Sequence, residues 1–241
     1  MRAHPRRRVP GLRPVALVLL VALTTLGCSS GSEADGAKDP TPEDVLAEAK
    51  QRLDDTSGLQ LSLTTKDLPD GVQGLDAATG VATHAPAFDG TITIVFAGSR
   101  VDVPVIAVDD KVYAQIPLTV GWSDVDPADY GAPDPAALMK PDEGFSGLLE
   151  ATTDLTKGES VRGGTDNNEI LTEYTGTVPG TAMKSVIPSS SGDSFDVAYS
   201  VTDDGELREA TLTGIFYPDS ASMTYTVEFT DYGTEQDIAA P

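Results

Sequence analysis

Between residues 91 and 117 the chain reads TITIVFAG, SRVDVPVIAV and DDKVYAQIP, three runs rich in β-branched residues with only Gly98-Ser99 and Asp109-Asp110 between them. Gaps that short admit tight turns and nothing longer, so the runs predict three strands paired antiparallel in a meander. Ile92, Ile94 and Phe96 alternate with Thr91, Thr93 and Val95; Val101, Val103 and Val105 alternate with Asp102 and Pro104; Val112, Ala114 and Ile116 repeat the pattern. One face of the meander is therefore oily across three strands. Such a face is either covered by helices or used to hold something greasy.

The N-terminus speaks to compartment. Residues 1–14 carry Arg2, Arg6, Arg7, Arg8 and Arg13 and no acid, and residues 15–26 are almost wholly apolar. Twelve apolar residues are too few for a spanning helix, which needs about 20, but they suit the core of a signal peptide behind a basic leader. Leu26-Gly27-Cys28-Ser29-Ser30-Gly31 resembles a bacterial lipobox, with Thr25 in place of the usual aliphatic residue. This predicts residues 1–27 as a lipoprotein signal peptide, Cys28 as the acylated residue, residues 28–40 as a polar tether, and residues 41–241 as one domain. The tether, fully stretched, spans ~40 Å. The chain is thereby expected to be exported and lipid-anchored to the outer face of the cell membrane, with the membrane as partner through Cys28.

Cys28 is the only cysteine, so no disulfide framework, zinc ribbon or thiol nucleophile can be built. Removing residues 1–27 takes five of the 16 basic residues and none of the 38 acids, leaving 11 against 38, a net charge of −27. That excludes nucleic acid as a partner, because phosphate binding relies on Lys and Arg. It also disfavours docking on anionic headgroups.

Along the mature chain, Thr41-Pro42-Glu43-Asp44 is a helix start with cap, proline and first-turn acids, and Val45, Leu46, Ala49 and Leu53 fall on one stripe. Leu59, Leu61 and Leu63 alternate as a strand; residues 67–80 read as a connection, and residues 81–88 as a weak strand broken by Pro86. After the meander comes an acidic, proline-rich loop to Pro133. Short helices are expected through Met139, around Phe145, Leu148 and Leu149, and over residues 181–187. Strands over 155–162 and 169–178 form a hairpin, and 195–201, 207–217 and 223–229 a last meander. The fold expected is α+β: a single large curved antiparallel sheet, a half-barrel, with helices on its concave face.

Catalytic inventory is thin. His4 leaves with the signal peptide, and His84 has no serine placed for it by motif. Gly144-Phe145-Ser146-Gly147 is one residue short of a nucleophile elbow, and Thr181-Ala182-Met183-Lys184 lacks the serine and companion motifs of a Ser-x-x-Lys site. Asp124, Asp126 and Asp129 fail the twelve-residue calcium loop, which would need Gly at Asp129 and Glu at Pro135. No enzyme activity, metal or cofactor is expected. What remains is apolar surface. Composition alone favours a filled core, but the small Val, Ala and Ile side chains, and helices bracketed by Pro and Gly, leave a cavity under movable flaps open.

Several segments, taken together, carry a resemblance: the lipobox, Val112-Tyr113-Ala114, Gly121-Trp122-Ser123-Asp124, Asp134-Pro135, Pro141-Asp142 with Gly144 leading to Leu148-Leu149, Tyr174-Thr175-Gly176-Thr177-Val178, and Ile187-Pro188. The chain resembles, over essentially its full length, the LppX/LprAFG lipoproteins of mycobacteria and related actinobacteria, and within them the LprG-type lipid carriers. The acidic turn Asp203-Asp204-Gly205-Glu206 departs from the pattern. The resemblance implies a lipoprotein-carrier fold and a monomer. It implies a cargo of acylated lipid or glycolipid, such as triacylglycerol, phosphatidylinositol mannosides or lipoglycans, carried across the envelope, in some members with a major-facilitator exporter. By strand parity the cavity lining is expected at Ile92, Ile94, Phe96, Val103, Val105, Val112, Ala114, Ile116, Leu148, Leu149, Met183, Ile187, Val197, Tyr199, Tyr225 and Val227. Three rival functions are a solute-binding lipoprotein of a transporter, an envelope hydrolase, and a structural or adhesive lipoprotein with a filled core.

Overall fold

The computed structural model describes residues 39–130, 132–164 and 167–241. The expected signal peptide and Cys28 lie outside these residues, as does all but the last two residues of the expected tether. Helix α1 (Pro42–Asp55) opens with a capping box, in which the Thr41 hydroxyl accepts the Asp44 N–H and the Asp44 carboxylate accepts the Thr41 N–H. Leu46, Ala49 and Leu53 form its buried stripe.

Eleven strands follow: β1 (Gly58–Thr65), β2 (Gly74–Thr83), β3 (Ala87–Phe96), β4 (Ser99–Val108), β5 (Lys111–Ala114), β6 (Ser123–Val125), β7 (Thr153–Gly163), β8 (Glu169–Pro179), β9 (Ser194–Thr202), β10 (Leu207–Gly214) and β11 (Met223–Thr230). They make one open antiparallel sheet in the order β6-β5-β4-β3-β2-β1-β11-β10-β9-β8-β7. Helix α2 (Phe145–Ala151) precedes β7, and α3 (Gly180–Val186) joins β8 to β9. The helices gather over one part of the sheet: α1 lies on α2, β7 and β10, and α3 on β8 and β9.

The β2 boundary differs from the sequence expectation. Only residues 66–73 form the connection, and Gly74 to Gly80 belongs to β2. Alternation was hidden there by a bulge at Asp76 and by small residues on both sides of it. Two glycines mark close approaches. A Cβ at Gly74 would sit 2.3 Å from the Tyr217 hydroxyl, and one at Gly80 would meet the Phe88 ring at 2.7 Å. Likewise β10 stops at Gly214 rather than Tyr217, because Phe216 and Tyr217 turn inward to join the core.

Candidate functional site

The inner face of the sheet falls into two regions. Under the helices it is filled. Phe195, Val197, Tyr199 and Val201 of β9, and Met223, Tyr225, Val227 and Phe229 of β11, are all buried against residues of α1, α2 and α3. Phe216 lies 4.9 Å from Phe195 and 4.8 Å from Tyr225, and Phe145 of α2 meets Phe229 edge-on at 5.3 Å, ring centre to ring centre. Burial raises the pKa of the Tyr199 and Tyr225 hydroxyls. Both find partners there: Tyr199 pairs with the Thr152 hydroxyl at 3.0 Å, and Tyr225 donates to the Leu75 carbonyl at 2.7 Å.

Beyond β2, among the described residues, no α-helix covers the sheet. A segment built from residues 117–130 and 132–135, with a 3₁₀ turn at Pro127–Tyr130, takes the helices' place, and beneath it lies a cleft of about 110 Å³. Its floor is Ile92 and Ile94 of β3, Val103 and Val105 of β4, Val112 and Ala114 of β5, and Ile116; its roof is Pro117, Val125, Pro127, Tyr130, Ala132, Pro133 and Pro135. The exposed wall is apolar throughout. Cross-strand register explains why these side chains meet: Ile92 faces Val103, and Val105 faces Ala114, so one parity from three strands lands on one side. The opposite parity carries the charge. Thr93 donates to Asp102 at 2.7 Å, and Lys111 reaches Asp124 at 2.7 Å, which raises the lysine pKa by hydrogen bonding.

Seven of the residues expected as lining therefore stand on the cleft floor. The other nine do not. Phe96 has the floor's parity but lies one turn past it, at the β3–β4 tip, 60 % exposed. Leu148, Leu149, Met183, Ile187, Val197, Tyr199, Tyr225 and Val227 belong to the filled region, none more than 3 % exposed, because three helices close over them. Parity identified their face correctly but carried no information about which part of that face a helix would cover. The roof was the omission. Residues 122–133 read as an acidic loop, yet the acids Asp126 and Asp129 are exposed to solvent while Pro127, Tyr130 and Pro133 border the cleft.

A larger hollow, of about 550 Å³, is of the wrong chemistry, ringed by Glu48, Arg52, Asp55 and Glu206. A groove with those walls belongs to water. Among the described residues no three or more His, Cys, Asp or Glu side chains are arranged to hold a metal ion.

The profile of the LppX_LprAFG lipoprotein family matches residues 41–239. The lipoarabinomannan carrier protein LprG of Mycolicibacterium smegmatis is 27 % identical over 252 aligned positions, covering 100 % of this chain and 99 % of that one. Among solved structures, LprF from Mycobacterium bovis superposes with a TM-score of 0.68 at 13 % identity, over 84 % of this chain and 98 % of its own. LppX from Mycobacterium tuberculosis gives 0.59 at 14 % identity, over 83 % and 100 %.

Proposed function

The chain belongs to the LppX_LprAFG lipoprotein family, and on that footing we propose that it is a membrane-anchored, non-catalytic carrier that shelters acyl chains in the cleft over β3, β4 and β5 and transfers them across the cell envelope. The observation that carries this reading is the cleft's wall, apolar throughout and roofed by a segment with no α-helix, only the short strand β6 and a 3₁₀ turn at Pro127–Tyr130. Similarity to the lipoarabinomannan carrier points to an acylated lipid or glycolipid as cargo. Cys28 is the proposed anchor, and a major-facilitator exporter the proposed partner.

Magnitudes require the cleft to open. A methylene takes roughly the 30 Å³ that a water molecule occupies in liquid, so 110 Å³ admits about four such groups, not a whole acyl chain. The roof is built to yield. Pro117, Pro127, Pro133 and Pro135 have no N–H to donate, and β6 is a three-residue edge strand. Its other backbone bonds are local turns, such as Thr119 N–H to Ile116 C=O and Asp129 N–H to Asp126 C=O. Lifting it exposes the floor without disturbing the helices. The gain is large: each methylene removed from water is worth about 0.8 kcal/mol, so a sixteen-carbon chain supplies on the order of 10 kcal/mol gross.

The test is Val103→Trp. Val103 is half-buried on the floor, so an indole there fills the space without displacing core. Lipid extracted from the purified protein and measured by mass spectrometry should fall at least tenfold, with the unfolding midpoint nearly unchanged. Unchanged lipid content in Val103→Trp, or no lipid in the parent protein, overturns the reading. A solute-binding or purely structural role would then stand in its place.

A further inference from the structure

We infer that the rim carrying Phe96, Leu118 and Val120 is a docking surface for an uncharged lipid bilayer. This goes beyond the proposed carrier function, which requires only a cleft, and it adds how the cleft would meet its donor or acceptor membrane.

Three apolar side chains stand in solvent at one end of the sheet. Phe96 is 60 % exposed, and Leu118 and Val120 are fully exposed. Register places them at the same end of the sheet. Phe96 faces Ser99 at the β3–β4 tip, and residues 115–122 leave β5 toward that end, the Gln115 N–H bonding to the Pro104 carbonyl before the chain turns back into β6. Singly exposed apolar residues are ordinary; a group continuous with a groove marks an interaction site. Here the group is continuous with the cleft, since Phe96 extends the Ile92–Ile94 line and Leu118 follows the floor and roof residues Ile116 and Pro117. Leu118 also adopts a left-handed backbone, φ +71°, which is uncommon for a bulky side chain.

Charge and chain path choose the occupant. In a chain this acidic, residues 115–123 (QIPLTVGWS) hold no charged side chain, and neither do residues 96–99. The opposite end of the sheet carries Asp109, Asp110, Asp203, Asp204 and Glu206 in its turns. Those acids repel an anionic surface and would draw a basic protein to the far end; a neutral bilayer fits the uncharged segments 96–99 and 115–123. The chain also enters the fold at the rim end. The first half of α1 lies beside Thr152 and Leu155, next to the end of β7 that pairs with Thr177, and its last turns lie beside Glu206 at the far end. Register carries that β7 end across the sheet through Pro179–Ser194, Gly214–Met223 and Gly74–Val95 to the Phe96 tip.

Trp122, the only tryptophan, sits two residues from Val120 and reports directly. The mature chain with Cys28→Ala, which removes the acylation site, is mixed with phosphatidylcholine vesicles. Expected results are co-flotation and a blue shift of Trp122 emission, both insensitive to high salt. The double variant Leu118→Asp, Val120→Asp should lower partitioning at least tenfold and abolish the shift, while lipid content by mass spectrometry and the circular dichroism spectrum stay as in the parent. Phe96→Ser, at a separate exposed position, should lower partitioning severalfold by itself. No flotation of the parent, flotation unchanged in the variants, or concentration-dependent dimerisation that the variants abolish in place of vesicle binding would each overturn the docking surface. Each of those outcomes leaves the cleft's lipid content, and so the carrier reading, separately measurable.

Discussion

The two parts of the inner face share a strand pattern and differ in what covers them. Phe195, Val197 and Tyr199 on β9 alternate in the same way as Ile92 and Ile94 on β3. Yet the first set is sealed and the second borders a void. One cause is side-chain size. The filled region brings Tyr199, Tyr225, Phe195, Phe216 and Phe229 to complete burial. Around the cleft the inner parity runs through Ala78, Gly80, Gly90, Ala107 and Ala114, with Phe88 as the one fully buried aromatic. The other cause is the lid. Helices satisfy their own backbone and present whole apolar stripes to a sheet. A proline-broken segment does neither, so it rests on the floor without filling it. Hollowness arises where small inner residues coincide with a cover whose regular hydrogen bonding is limited to a three-residue strand and one 3₁₀ turn.

The sharpest way to break this comparison is to truncate one residue in each region. Phe195→Ala should destabilise by about 3–5 kcal/mol, since the ring is fully buried among Phe216, Gly192 and Gly214 and nothing can relax into its place. Ile92→Ala should cost only about 1 kcal/mol, because the side chain is half-buried and the void it would enlarge already exists. Denaturant unfolding of both variants measures the contrast. Equal losses would mean that the β3 face is an ordinary core.

A smaller effect is expected at the seam where the regions join. Beyond the last β1–β2 pair, Thr64 with Ala77, Leu75 has no β1 partner for its backbone. Two tyrosines from the filled region take over. Tyr217 accepts the Leu75 N–H at 2.9 Å, Tyr225 donates to the Leu75 carbonyl at 2.7 Å, and the two hydroxyls lie 2.9 Å apart. Tyr217→Phe leaves a buried N–H without an acceptor, a penalty of about 1–3 kcal/mol. Hydrogen exchange at Leu75 should accelerate together with the loss in unfolding free energy. If exchange at Leu75 does not change, the tyrosines do not clamp the seam.

Much of this arrangement was legible in the sequence, and the illegible part has a physical reason. Alternation at Leu59–Leu63, at residues 91–116 and at 195–229 placed most strands, and Thr41-Pro42 placed α1, because period and caps are local properties. The same alternation gave the floor of the cleft. It failed for Leu148, Met183, Tyr199 and Tyr225, whose sealing depends on where α1 and α2 come to rest, a tertiary fact with no local signal. It failed again at Gly74 and Gly80, where a hydroxyl and a ring from elsewhere in the chain stand in for missing side chains. The roof was readable only in part: prolines among acids signal a loop, but not that the loop lays Pro127 and Tyr130 along the edge of the cleft.

The smallest predicted effect concerns the outer face of the filled region and sharpens the comparison by leaving the cleft alone. Glu209 of β10 stands directly across from Glu228 of β11. Partial burial first, then repulsion from Glu228 and Glu173, raises its pKa above the usual 4.5. As pH rises from 4.5 to that raised value, the unfolded chain releases its proton first, so this group draws stability down with increasing pH and its penalty is constant above. Glu169 works oppositely: its hydrogen bonds to Arg208 lower its pKa, so its contribution is present at neutral pH and fades as acid protonates it. That contribution is common to parent and variant and cancels in their difference. Glu209→Gln should therefore raise stability at pH 7 by a few tenths to about 1 kcal/mol, the range for like charges facing across a sheet, and by nearly nothing at pH 4. Thermal unfolding at the two pH values checks the sign, and lipid content should not change at either. A gain of equal size at both would show that side-chain packing, not charge, separates the two forms.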